Sequence, residues 1–174
     1  LWFPYGKYLI STTLTINNGV KLFGEGEIGD QAASTMSVGG GSMMQWNTSS
    51  AGDMITIKSA TSNRYLYGAG VWNIVLHGSN AATAGIRASS IQACDFKVSA
   101  FGFTEAGIVI DDGNGVLSLF NNFRLRYAYG TVPAAENSHG LKFDGDVSDV
   151  GVTQNTIYWL AGLVKNGWML WLRA

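Results

Sequence analysis

Two interleaved series of strand-like runs constrain this chain more than any other feature. In one, a glycine leads alternating apolar residues: Gly85-Ile86-Arg87-Ala88, Gly107-Ile108-Val109-Ile110, Gly140-Leu141-Lys142-Phe143 and Gly167-Trp168-Met169-Leu170, at spacings of 22, 33 and 27. In the other, Asn or Asp leads: Asn73-Ile74-Val75-Leu76, Asp95-Phe96-Lys97-Val98, Asn122-Phe123-Arg124-Leu125 and Asn155-Thr156-Ile157-Tyr158. Most of these runs close on glycine, at Gly78, Gly102, Gly130 and Gly162. The series alternate strictly, so each unit carries one strand of each kind. Each unit returns the chain to the same face in the same direction, and successive strands of a series therefore pair in parallel. Units that lengthen without losing phase do so through loops on a solenoid.

The predicted fold is all-β, a right-handed parallel β-helix forming a single domain over residues 1–174. Its regular coils run from 52 to 172, and a loop insertion at 131–138 carries a proline and no alternation. A Greek-key sandwich is the structural alternative, whereas a leucine-rich repeat would need a regular Leu frame that is missing. Composition agrees: 23 Gly, 2 Pro and 13% charged residues describe many turns and few solvated helices. A net charge of -1 without a basic run lacks the footprint of nucleic-acid binding. No apolar run approaches the roughly 18 residues of a membrane span, so no membrane insertion is expected. Cys94, the one cysteine, excludes an internal disulfide and reads as a buried hydrophobe. The sequon Asn47-Thr48-Ser49 is of a kind frequent by chance in a chain so rich in these residues.

Alternation turns Ile86, Ala88, Ile108, Ile110, Leu141, Phe143, Trp168 and Leu170 inward and leaves two outward columns. One reads Arg87, Val109, Lys142, Met169; the other reads Ser89, Asp111, Asp144, Trp171. Asp111 and Asp144 are then neighbours one coil apart, with Asp112 and Asp146 adding acidity. Two carboxylates at that distance raise one another's pKa or share a cation, which serves acid catalysis on a glycosidic bond or calcium binding. The alternative is turn chemistry, since Asp-Gly is an ordinary turn former. In the Asn/Asp-led series Val75, Lys97 and Arg124 form one outward column and His77, Ser99 and Arg126 the next. Lys97, Arg124 and Arg126 make a basic patch suited to a uronate or sialate carboxylate, with Glu105 or aspartates as alternative partners. Arg124 or Arg126 with Asp111 and Asp144 would supply the neutralising group and base of a lyase. His139 follows the insertion close in phase to the acidic column, where a loop role competes with a catalytic one. Tyr127, Tyr129, Tyr158, Trp159 and Trp171 cluster in the later coils, where they either stack on sugar rings or fill the core and an interface. The leading Asn/Asp tolerates left-handed backbone and could stack into a side-chain ladder.

The opening of the chain reads Pro4-Tyr5-Gly6-Lys7-Tyr8-Leu9-Ile10, then Leu14-Thr15-Ile16, then Gly19-Val20-Lys21-Leu22-Phe23-Gly24-Glu25-Gly26. This run resembles the first coil, here 4–26, of the pectate-lyase-like superfamily, and looks most like the depolymerase domains of bacteriophage tailspikes. The resemblance implies a virion protein, usually a homotrimer, that binds and cleaves a bacterial surface polysaccharide. A secreted extracellular lyase and a non-catalytic adhesive solenoid are the alternatives, because such folds host lyases, hydrolases and binders. The calcium motif of pectate lyases is not recognisable, which leaves Ca2+ open and the metal unknown. Relatives carry a cap before this strand and more coils after the last, so the chain is expected to be part of a longer solenoid whose ends are covered by further residues or a partner chain.

Overall fold

In the computed structural model, residues 1–26, 41–111, 118–130, 132–145 and 152–173 are described. The strands are β1 (Trp2–Phe3), β2 (Gly6–Ile10), β3 (Leu14–Ile16), β4 (Lys21–Gly24), β5 (Ser42–Trp46), β6 (Ile55–Lys58), β7 (Leu66–Tyr67), β8 (Gly70–His77) and β9 (Ala84–Ser89). They continue as β10 (Ile91–Gln92), β11 (Asp95–Phe101), β12 (Ala106–Asp111), β13 (Ser118–Leu119), β14 (Asn122–Ala128), β15 (His139–Asp144), β16 (Val152–Thr153), β17 (Thr156–Leu163) and β18 (Leu170–Arg173). One helical turn, α1 (Pro133–Glu136), lies in the insertion. All ladders are parallel, in sheets of eight, four and six strands. The fold is a parallel β-helix, as the repeat requires.

Each regular coil holds three strands rather than two. The third, in the four-stranded sheet β16-β13-β10-β7, is only two residues long, too short to show an alternating pattern. β5 was also unread, because Met43, Met44 and Trp46 form a nearly continuous buried apolar run rather than an alternating one.

The leading glycine of the first series has a steric cause. A Cβ on Gly85 would stand 2.6 Å from the carbonyl oxygen of Gly107, and one on Gly107 would stand 2.8 Å from the Tyr127 ring and 3.0 Å from the Gly140 oxygen. Stacked backbones leave no room there for a side chain.

The second series begins one residue later than its corner. Gly68, Ala93, Phe120 and Gln154 take left-handed backbone (φ 66, 53, 55 and 53), and the residue after each turns into the stack. The predicted ladder exists but is built by Asn121 and Asn155, not Asn122. Asn121 donates through Nδ2 to Asn155 Oδ1 at 2.8 Å, and the Cys94 amide donates to Asn121 Oδ1 at 2.9 Å. Asn155 Nδ2 donates to the Ser118 carbonyl at 3.0 Å. Asn121 is wholly buried, so these bonds satisfy groups that would otherwise be costly. Cys94 is buried as expected, which pushes its thiol up to about 11.

One core cluster fills the coils from Ile16 to Phe143, with Phe96 stacked on Phe123 at 5.3 Å. The inward assignments of Ile86, Ala88, Ile108, Ile110, Leu141 and Phe143 agree with this core. Trp168 does not: it is 65% exposed on the turn before β18. Leu170 pairs in register with Leu141 and Leu172 with Phe143, and they are 37% and 66% exposed. Among the described residues, no helix is long and apolar enough to cross a membrane.

Candidate functional site

The outer face of the six-stranded sheet gathers most of the ion pairs. Register places Thr56, Arg87, Val109, Lys142 and Trp171 in one column and Lys58, Ser89, Asp111, Asp144 and Arg173 in the next. Asp111 and Asp144 are therefore register partners, as alternation predicts. The last coil is shifted by two residues from expectation, so Trp171 rather than Met169 continues the lysine column.

Arg87 is the hub. Its guanidinium bonds Asp53 at 2.8 Å, Asp111 at 3.3 Å and, closely, Glu105. Lys142 bonds Glu105 at 2.7 Å and Asp144 at 2.8 Å. Ser89 donates its hydroxyl to Asp111. Val109 lies between Arg87 and Lys142 in its column and is buried with Ala84 and Ala106. The ion-paired side chains are 15–25% exposed, where charge pairs are screened less than at an open surface.

Burial opposes the charge on Arg87, Lys142 and Glu105, and the partners win. Asp53 and Glu105 hold the Arg87 pKa above its ordinary value, and Asp144 with Glu105 does the same for Lys142. Glu105 is held below the usual carboxylate range, first by the Lys142 hydrogen bond and then by Arg87. His139 goes the other way: burial and the neighbouring Lys142 lower its pKa, against the pull of Glu105. Its Nδ1 accepts the Trp168 amide at 3.1 Å, so the neutral ring carries its proton on Nε2. The His139 ring lies 5.7 Å from that of Trp171, and Lys142 Nζ sits 5.0 Å from the same indole.

Sequence reading missed Asp53 as a member of this network. It offered Glu105 as one alternative partner for the basic patch, and Glu105 pairs with Arg87 and Lys142 instead. Both residues sit on turns just ahead of strands β6 and β12, where alternation has no reach. The signal for Glu105 was its place two residues before Gly107, at the corner that leads into the Arg87 column.

The other predicted residues occupy the eight-stranded sheet. Lys97 pairs in register with Arg124 and with Trp72, and Ser99 with Arg126 and Val75. Asn73, at φ 53, bulges out of the ladder. The strand begins at Gly70, opposite Asp95, three residues before the expected head at Asn73, so Trp72, not Val75, aligns with Lys97 and Arg124, and past the bulge His77 aligns with Phe101. Arg124 lies 4.2 Å from the Tyr158 ring and 5.8 Å from that of Trp72. Arg124 thus does not share a face with Asp111 and Asp144, and the expected three-residue catalytic group is not assembled. Tyr127 is also corrected: it is wholly buried, its hydroxyl paired with Ser138, and burial pushes its pKa up to about 12. Its parity places it inside, opposite to Arg126. Trp159 holds the register position beside Arg124, and its side chain, like Asp112 and Asp146, lies outside the described residues.

Calcium does not fit the described carboxylates. A divalent ion at Asp111 and Asp144 would meet Arg87 and Lys142 already bonded there, and no group of three or more His, Cys, Asp or Glu among the described residues is arranged to hold a metal.

A family model described as "Rhamnogalacturonase A/epimerase, pectate lyase-like" matches residues 1–158. That span includes the whole ionic network from Asp53 to Asp144. Comparisons with curated proteins and with solved structures return no match. Stacked parallel coils and a family match over most of their length lead to one assignment: the chain belongs to the rhamnogalacturonase A/epimerase, pectate lyase-like family, as a polysaccharide-related parallel β-helix.

Proposed function

We propose that this chain is a tailspike-type β-helix domain of a virion, working as a homotrimer, that binds and depolymerises a bacterial surface polysaccharide at the charged face of the six-stranded sheet. The tailspike element is supported by the Pro4 to Ile10 run and the strands that follow it. The observation that carries the catalytic element is the register pairing of Asp111 with Asp144 between two cations. One strand spacing, about 4.8 Å, brings two carboxylates close to the roughly 5 Å separation of a retaining pair. Glu105 stays ionised and fixes Arg87 and Lys142, so acid and base roles fall to the aspartates. One protonates the glycosidic oxygen and the other attacks the anomeric carbon. In an elimination, one would instead take the proton beside a uronate carboxylate that Arg87 and Lys142 neutralise. The neutralising role expected of Arg124 passes to these two cations because they share the carboxylates' face.

The test is incubation with a panel of bacterial capsular polysaccharides and lipopolysaccharides, following new reducing ends and ultraviolet-absorbing unsaturated product. Turnover that disappears in the Asp111→Asn, Asp144→Asn double variant supports the reading, and undiminished turnover there removes the site. One observation favours a second reading, a non-catalytic adhesive solenoid: the cations and carboxylates of this face already neutralise one another within the protein. Turnover by the wild type decides between the two.

A further inference from the structure

The eight-stranded sheet carries a second surface that the depolymerase chemistry does not use. Phe23, Trp72, Lys97 and Arg124 follow one another in register across its outer face, and Tyr158 closes the row over the Arg124 guanidinium. Phe23 and Trp72 have ring centroids 6.4 Å apart, and Phe23 and Tyr158 are 39% and 59% exposed. Among the described residues no ion pair engages Lys97 or Arg124; Arg124 leans on aromatic rings instead. The nearest carboxylate in these columns, Asp95, stands at the head of its strand beside Asn122 and Gly70.

A second, independent feature lies on the same two strands. Four buried side-chain atoms among the described residues lack a hydrogen-bond partner, and three of them belong to β8 and β11: Trp72 Nε1, Asn73 Oδ1 and Ser99 Oγ. Ser99 is wholly buried although its parity turns it outward, between Lys97 and Phe101. Each such group costs about 1–3 kcal/mol, and their concentration on two neighbouring strands of this sheet sets it apart from the ion-paired one.

We propose that this row is a holding surface for an acidic polysaccharide chain, laid along the helix axis and separate from the Asp111–Asp144 face. It rests on the polysaccharide reading and adds the site and charge class of the bound chain. Rings stack on sugar faces, and Lys97 and Arg124 meet carboxylate or sulfate groups. From Phe23 to Tyr158 the row spans four strand spacings, about 19 Å. A nucleic acid would use the same stacking chemistry, but a chain of net charge -1 lacks the cation density that such binding requires.

The experiment is calorimetric titration with alginate oligosaccharides, the same oligosaccharides after carboxyl reduction, and a single-stranded DNA oligomer. The wild type should bind alginate. The Lys97→Gln, Arg124→Gln variant, melting at the wild-type temperature, should bind at least about tenfold more weakly, the loss expected of one or more charge-assisted contacts. Carboxyl-reduced oligosaccharide should be weakened likewise, and Arg124→Lys should fall between because it keeps the charge but loses the planar stack. Lys165→Gln, which removes a surface cation on the turn between β17 and β18, should bind as the wild type does. No alginate binding, equal binding by the Lys97/Arg124 variant, equal binding of the reduced oligosaccharide, or tighter binding of DNA overturns the proposal. Absence of any turnover by the wild type on the polysaccharide panel, with alginate binding intact, would fell the depolymerase reading and leave this surface standing.

Discussion

The two outer faces obey one alternation rule and end in opposite electrostatic states. On the six-stranded sheet Arg87 and Lys142 are caged: Arg87 touches three carboxylates and Lys142 two. On the eight-stranded sheet Arg124 meets rings instead, and its neighbours hold polar atoms without partners. The strands supply outward cations to both faces, and the difference comes from the turns. Asp53 and Glu105 precede β6 and β12 and reach into the first face. A face's charge balance is therefore set by residues that strand periodicity does not describe.

The largest effect should come from opening the cage. Arg87→Met leaves Asp53, Glu105 and Asp111 without their shared cation and should destabilise by about 2–3 kcal/mol, between the values for exposed and buried pairs. Arg124→Met should stay within about 0.5 kcal/mol. Equal losses in thermal melts would break the comparison.

A smaller effect lies in the pH dependence. Glu105 has a folded pKa below its ordinary value, so the stability it contributes is present above that value and lost as pH falls through the folded one. His77, on the eight-stranded side, is depressed from 6.5 to about 4 by burial and by Lys7. It is neutral in the fold, so its contribution is complete above pH 6.5 and falls away toward pH 4. Melting temperatures should decline across that window, and His77→Gln should remove part of the decline. Glu105→Gln should cost stability at neutral pH, and its difference from the wild type should close only as pH falls through and below the ordinary carboxylate range. A His77 variant that melts with the wild-type pH profile would contradict this assignment.

The smallest effect should be a gain. Ser99→Ala removes a buried hydroxyl with no partner and should leave stability unchanged or raise it by up to about 1 kcal/mol. Loss of more than that in denaturant unfolding would mean the hydroxyl is satisfied after all, which would blunt the contrast between the faces.

Much of the fold was legible because its strongest signals are backbone requirements. Gly85, Gly107 and Gly140 repeat where a Cβ would strike the next coil, and period-two alternation set the pairing of Asp111 with Asp144. The errors have physical causes. β8 starts at Gly70, which pairs with Asp95, rather than at Asn73, and with the one-residue bulge at Asn73 this puts Trp72, three residues earlier in the chain, in the place expected of Val75. The two-residue strands carry no periodicity. The corner ladder uses the residue after a left-handed one, so Asn121 does the stacking and Asn122 merely follows. The site was legible as outward columns but not as a network, since its carboxylate bridges come from turns, and Tyr127 was counted by clustering rather than by parity.

The glycine column has a consequence for how such a surface changes over time. Because coil meets coil through backbone atoms at Gly85, Gly107 and Gly140, the pitch of the outward columns is fixed by main chain and not by what the side chains are. A polymer lying along the axis meets a comb whose teeth can be exchanged one at a time while their separation holds. The insertion at 131–138 lengthens the chain between two teeth without moving either. Sugar specificity on this scaffold can therefore drift residue by residue, with no refitting of the frame that presents it.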